Sequence, residues 1–139
     1  MAYRVQRSQK VIEDLELVDE SGAIAERIHV QLDADDMVRK VSRKYLDLMR
    51  IQKEVTSIQD DHKEAALEQL GDAIIDLFEA IFGEADTEKI LNFYEGNYIE
   101  MIQSVMPFIS EVILPRMRQI SQQKRQAYNR KALKHGIFN

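Results

Sequence analysis

The chain has 139 residues, 45% hydrophobic and 31% charged, with only five Gly and two Pro, which suits one folded domain with its own core and argues against a disordered chain. It has no Cys, so disulfides, thiolate metal sites and a Cys nucleophile are excluded, and a reducing compartment is permitted. The net charge of -5 is divided unevenly: residues 1–115 hold 12 basic and 24 acidic residues, whereas 116–139 hold 7 basic and no acidic ones. An acidic body with a basic end disfavours sequence-independent nucleic-acid binding by the whole protein.

Residues 1–10 form an N-terminal arm without the apolar run of a signal peptide, and the most apolar stretch, 73–82, is interrupted by Asp76 and Glu79. The expected protein is therefore soluble and cytoplasmic, with no membrane contact. Residues 11–18 and 24–32 are β-branched segments joined by a turn at 19–22, where Gly22 can supply a positive φ. They predict a β-hairpin. In its second strand Ile24, Ile28, Val30 and Leu32 share one face and Arg27, His29 and Gln31 the other, so helices or another chain must cover the apolar side.

Asp33, Asp35 and Asp36 supply an N-cap and favourable negative charge for a first helix, whose stripe is Met37, Val41, Leu48, Ile51, Val55 and Ile58, widened by Tyr45. A second helix is predicted from about Lys63 to Phe82, burying Leu67, Leu70, Ile74, Leu77, Phe78 and Ile81 and capped by Gly83. A short third helix begins near Asp86 or Thr87, carries Ile90, Leu91, Phe93 and Tyr94, and ends at Gly96. Asn97 with Glu100 resembles a capping box that opens a fourth helix. Its stripe is Ile99, Ile102, Met106, Ile109, Ile113, Met117 and Ile120, and Pro107 and Pro115 predict a kink or break at each. Beyond Ile120 the apolar period fails, so 121–139 reads as a solvated helical extension or a basic tail that orders on a partner. The fold class expected is α+β, mostly α-helical: one domain over 11–120, an N-terminal β-hairpin followed by about four helices, the last interrupted by prolines.

Chemistry is sparse. Glu64, Glu68, Asp72 and Asp76 form an i, i+4 carboxylate stripe on the second helix, a feature that can hold Mg²⁺ but also serves as a solvated acidic face. The segment Gln69, Leu70, Gly71, Asp72 resembles the Glu-Leu-Gly-Asp motif of all-α nucleoside-triphosphate pyrophosphohydrolases, with an amide in place of the first carboxylate. The paired Glu-x-x-Glu of that family is missing from residues 39–58, whose only acids are Asp47 and Glu54, so this enzyme is the alternative reading. His29, His62 and His135 are dispersed, and no nucleophile elbow or phosphate loop is present, so no catalytic residue, metal or cofactor is expected.

Between Ile75 and Met117 the chain is dense in Phe, Tyr and Met, as a core requires and as a groove for another helix also requires. Residues 83–115, with a helix-ending Gly, an aromatic pair and a Pro-Phe-Ile segment at 107–109, resemble the tail assembly chaperones of siphophages and prophages of Gram-positive bacteria. Roughly residues 11–120 follow that family's plan of a hairpin, a helical body and a charged end. The resemblance implies a non-enzymatic protein that binds the tape measure protein, keeps it soluble and helps recruit the major tail protein. The candidate partner contacts are apolar at Phe93, Tyr94, Tyr98, Met101, Phe108 and Met117, and electrostatic at Arg118, Lys124, Arg125, Arg130 and Lys131. The free edges of a two-stranded hairpin also leave homo-oligomerisation open.

Overall fold

The computed structural model describes residues 2–5, 9–57 and 62–134; the side chains of 35, 36, 56, 57, 127, 128 and 130–134 lie outside that description. It is 70% helical, an antiparallel hairpin followed by helices, as the sequence predicts. Strands β1 (Lys10–Val18) and β2 (Ile24–Asp33) precede helices α1 (Ala34–Ser57), α2 (Lys63–Phe82), α3 (Glu84–Phe93), α4 (Tyr98–Phe108) and α5 (Leu114–Lys134). A π-helical segment, Ile109–Ile113, joins the last two, so the chain stays helical from Tyr98 to Lys134.

The hairpin turn is built by Asp19. Its carboxylate accepts hydrogen bonds from the Ser21 hydroxyl at 2.6 Å, the Ser21 amide at 2.9 Å and the Ala23 amide at 3.1 Å. The Ser21 hydroxyl and then the Ala23 amide hold the Asp19 carboxyl below its ordinary value. A carboxyl lowered on folding contributes stability above its unfolded value and loses it as the pH falls through the folded one. NMR titration should therefore place the Asp19 midpoint below that of an unstructured aspartate, and Asp19→Asn should remove this share of acid sensitivity.

Val11, Leu17, Ile28, Val30 and Leu32 fill the inner face of the hairpin, where β2 packs on α1, α2 and α3. Ile24 departs from its expected face. The register shifts after Leu17, which faces Glu26, so that Val18 faces Ile24 and Ala25 is the extra residue of a β-bulge. One extra residue inverts the period-2 alternation, and Val18 and Ile24 meet on the outer face at 48% and 47% exposure. Between them and Ile12 the outer face carries cross-strand polar pairs, a hydrogen bond between Asp14 and His29 at 2.6 Å and an ion pair of Glu16 with Arg27 at 3.7 Å.

Helix α1 packs against both α2 and α5. Of its expected stripe, Val41, Leu48 and Ile51 are buried and Met37, Tyr45 and Val55 half-buried, while Ile58 lies outside the described residues. Helix α2 buries Leu70, Ile74, Leu77, Phe78 and Ile81, with Leu67 half-buried at the rim. Gly83, at φ 83°, caps α2 through its amide to the Glu79 carbonyl and also precedes the first residue of α3. This double use starts α3 at Glu84, two residues before the expected position.

Thr87 in α3 is 1% exposed, and its hydroxyl has no hydrogen-bond partner among the described residues. A buried hydroxyl without a partner retains its desolvation penalty, so Thr87→Val is expected to stabilise the fold by about 1 kcal/mol. A lower urea midpoint for that variant would show instead that the hydroxyl is bonded.

At the end of α3 the Gly96 amide reaches the Leu91 carbonyl and the Glu95 amide the Asn92 carbonyl, a Schellman arrangement. It places Glu95, at φ 53°, where Gly is the usual occupant. Asn97 then opens α4 as expected: its side-chain oxygen accepts from the Glu100 amide at 3.2 Å.

The prolines do not break this last helix. The π turn places the Leu114 amide on the Ile109 carbonyl, and a wider turn directly before Pro115 relieves the clash of its ring with the preceding turn. Pro107 and Pro115 are exposed, as are Gln103 and Glu111, whose carbonyls lose the usual donor, so water can replace it. The buried stripe is Met101, Ile102, Val105, Met106, Ile109, Ile113, Leu114, Met117 and Ile120. Ile99, expected on that stripe, is exposed at the start of α4.

Candidate partner-binding surface

The six apolar contacts expected from the sequence separate by burial. Met101 and Met117 are 0% exposed in the core and present no surface in this fold, which corrects their assignment as contacts. Their spacing along one helix places them in the same buried stripe as Val105, Ile109 and Ile113. Phe93, Tyr94, Tyr98 and Phe108 are half-buried and packed against the core. Phe93 and Tyr94 meet edge to face at 4.9 Å beside the α3–α4 corner, and Phe108 stacks on Phe82 at 6.4 Å.

Tyr98 has a further role. Its ring lies over Gly71 of α2, where an added Cβ would meet Tyr98 Cε2 at 2.6 Å and Cζ at 2.7 Å. Gly71 is thus the seat of an aromatic side chain between two helices. That packing accounts for the Gly in the Gln69–Asp72 segment without any metal.

On the solvent side of this contact lies an open groove of about 780 Å³. Leu67, Tyr98 and Ile99 give it an apolar part, and Glu64, Glu68 and Asp72 an acidic one. Asp76, the last member of the carboxylate stripe, is drawn away to Lys44 of α1 at 2.6 Å. Among the described residues no three His, Asp or Glu side chains converge as a metal cage.

The electrostatic candidates lie on α5. Arg118, Lys124 and Arg125 are exposed, whereas the side chains of Arg130 and Lys131 fall outside the described residues. Among the described side chains Ile120 is the last buried one, Gln122 through Gln126 are exposed, and α5 continues to Lys134, so 121–134 is helical.

What sequence reading missed is α1. It holds six of the 19 Lys and Arg residues and α5 another seven, and the two helices pack together. The basic end of the chain is therefore one of two basic helices that touch. Along α1 the exposed residues Arg39, Arg43, Leu46, Arg50 and Lys53 recur at alternating spacings of four and three, the heptad spacing of one helical face. Four acidic residues on α1 mask this region in a charge count along the chain. The 4–3 period was the available signal.

No helix among the described residues is long and apolar enough to cross a membrane. No protein-family model, curated protein or solved structure matches this chain.

Proposed function

We propose that this chain is a non-catalytic helical binding protein that acts as a tail assembly chaperone in the host cytoplasm. It covers apolar helical stripes of the tape measure protein, prevents their mutual association and brings major tail protein subunits to them. The observation that carries this reading is the helix α5, whose side chains from Gln122 to Gln126 are exposed and which runs to Lys134 with no acidic residue. The cationic helix and, elsewhere on the surface, the half-buried aromatic side chains Phe93, Tyr94 and Phe108 offer charge and apolar area to another helix. Apolar contact contributes about 25 cal/mol per Å² removed from water, so a modest patch gives the reversible hold a chaperone needs.

The test is to sequence the flanking genes and co-express the chain with the next large open reading frame, measuring how much of that product stays soluble and co-purifies. The full chain is expected to keep it soluble, and a chain ending at Ile120 to fold yet lose the capture. No effect of the full chain, or an undiminished effect of the shortened one, would overturn the proposal. Mg²⁺-dependent nucleoside-triphosphate hydrolysis abolished by Asp72→Asn would replace it with the enzyme reading.

A further inference from the structure

The exposed stripe of α1 is a second surface, independent of the α5 extension and of the chaperone reading. Arg39, Arg43, Leu46 and Arg50 lie on one face of a 24-residue helix whose opposite face is core. At 1.5 Å per residue these four span about 16 Å, three turns of helix. Leu46 is 65% exposed at the centre of the stripe. Arg39 and Arg43 line a cleft with Lys40, Lys44, Asp47 and Asp76, while Arg50 makes an exposed contact to Glu54 at 3.3 Å, a pair easily exchanged for another carboxylate.

We infer that this stripe docks an acidic amphipathic helix of a partner protein, with an apolar side chain of the partner against Leu46 and carboxylates against Arg39, Arg43 and Arg50. Charge complementarity selects an acidic partner. Three features favour a helix over a nucleic-acid backbone. The 4–3 spacing matches the seam of two packed helices. Leu46 gains nothing from a phosphate but removes apolar area from water against another side chain. Asp47 and Asp76 border the same cleft, and they repel a continuous polyanion more than a polypeptide whose charges are interspersed.

The probe is a fluorescent three-heptad helical peptide with Leu at the seam positions and Glu at the flanking ones, titrated by anisotropy. Its flanking carboxylates disfavour self-pairing. Three controls accompany it: a scrambled peptide of the same composition, a labelled DNA duplex, and Arg118→Glu with Arg125→Glu as a charge-matched reversal on α5. The full chain is expected to bind the heptad peptide at least about tenfold more tightly than the scrambled one. Leu46→Glu, and separately Arg39→Glu with Arg43→Glu, should each weaken binding about tenfold or more, while the α5 reversal changes it less than about twofold. All these positions are exposed, and thermal melts check that each variant is folded. Equal binding of the scrambled peptide, indifference to Leu46→Glu, tighter retention of the duplex, or no binding by the full chain would each overturn the inference.

Discussion

Replacing Phe78 by alanine is expected to cost about 3–5 kcal/mol, a large part of the roughly 5–15 kcal/mol that holds a domain of this size together. Phe78 is wholly buried on α2, the helix that touches β2, α1, α3 and α4. Its ring meets Phe82 edge to face at 5.5 Å, and Phe82 in turn stacks on Phe108. Truncation removes the transfer free energy of the ring and leaves a cavity that regular helices on several sides cannot close. Phe108→Ala, at the half-buried end of the same aromatic row, should cost distinctly less because part of its surface already faces water. Urea denaturation measures both. A loss below about 1 kcal/mol for Phe78→Ala, with an unchanged slope, would show that the ring is not packed as described.

The hairpin and α2 were legible because each has an apolar period over most of its length and a chemical stop. Asp19 and Gly22 fix the turn, and Gly83 ends α2 at the residue expected. The face of Ile24 was not legible, since a single bulge inverts the alternation and leaves no mark in composition. The prolines misled for a related reason. A sequence shows that Pro107 and Pro115 lack a donor, but not that both are exposed or that a π turn precedes the second. At the candidate surface, residue type was the weaker guide. Met101 and Met117 are flexible side chains suited to a groove, yet their burial follows from their position on the helix, with Val105, Ile109 and Ile113 on the same side. Conversely, the basic face of α1 was legible in its spacing but cancelled in the charge count by the four acidic residues on the same helix.

Gly71→Ala is expected to destabilise the protein by about 1–2 kcal/mol although alanine is the better helix former by about 1 kcal/mol. The two terms oppose each other. Gly71 lies in the interior of α2, where it costs backbone entropy, and nothing about its conformation requires glycine, since its φ is not positive. What requires it is Tyr98, whose ring carbons would be 2.6 and 2.7 Å from the new methyl group. The ring belongs to the first residue of α4, beside the Asn97 cap, so moving it strains the helix start as well as the α2–α4 contact. A double-mutant cycle separates the terms. In a Tyr98→Ala background the clash is gone, and Gly71→Ala should then stabilise by about 1 kcal/mol, giving a coupling of about 2–3 kcal/mol between the two positions. If Gly71→Ala stabilises the otherwise unaltered chain as well, the ring moves aside freely and the glycine is not held by packing. The Gln69–Asp72 segment would then again need an explanation from ligand chemistry, and Asp72 would be the first residue to test.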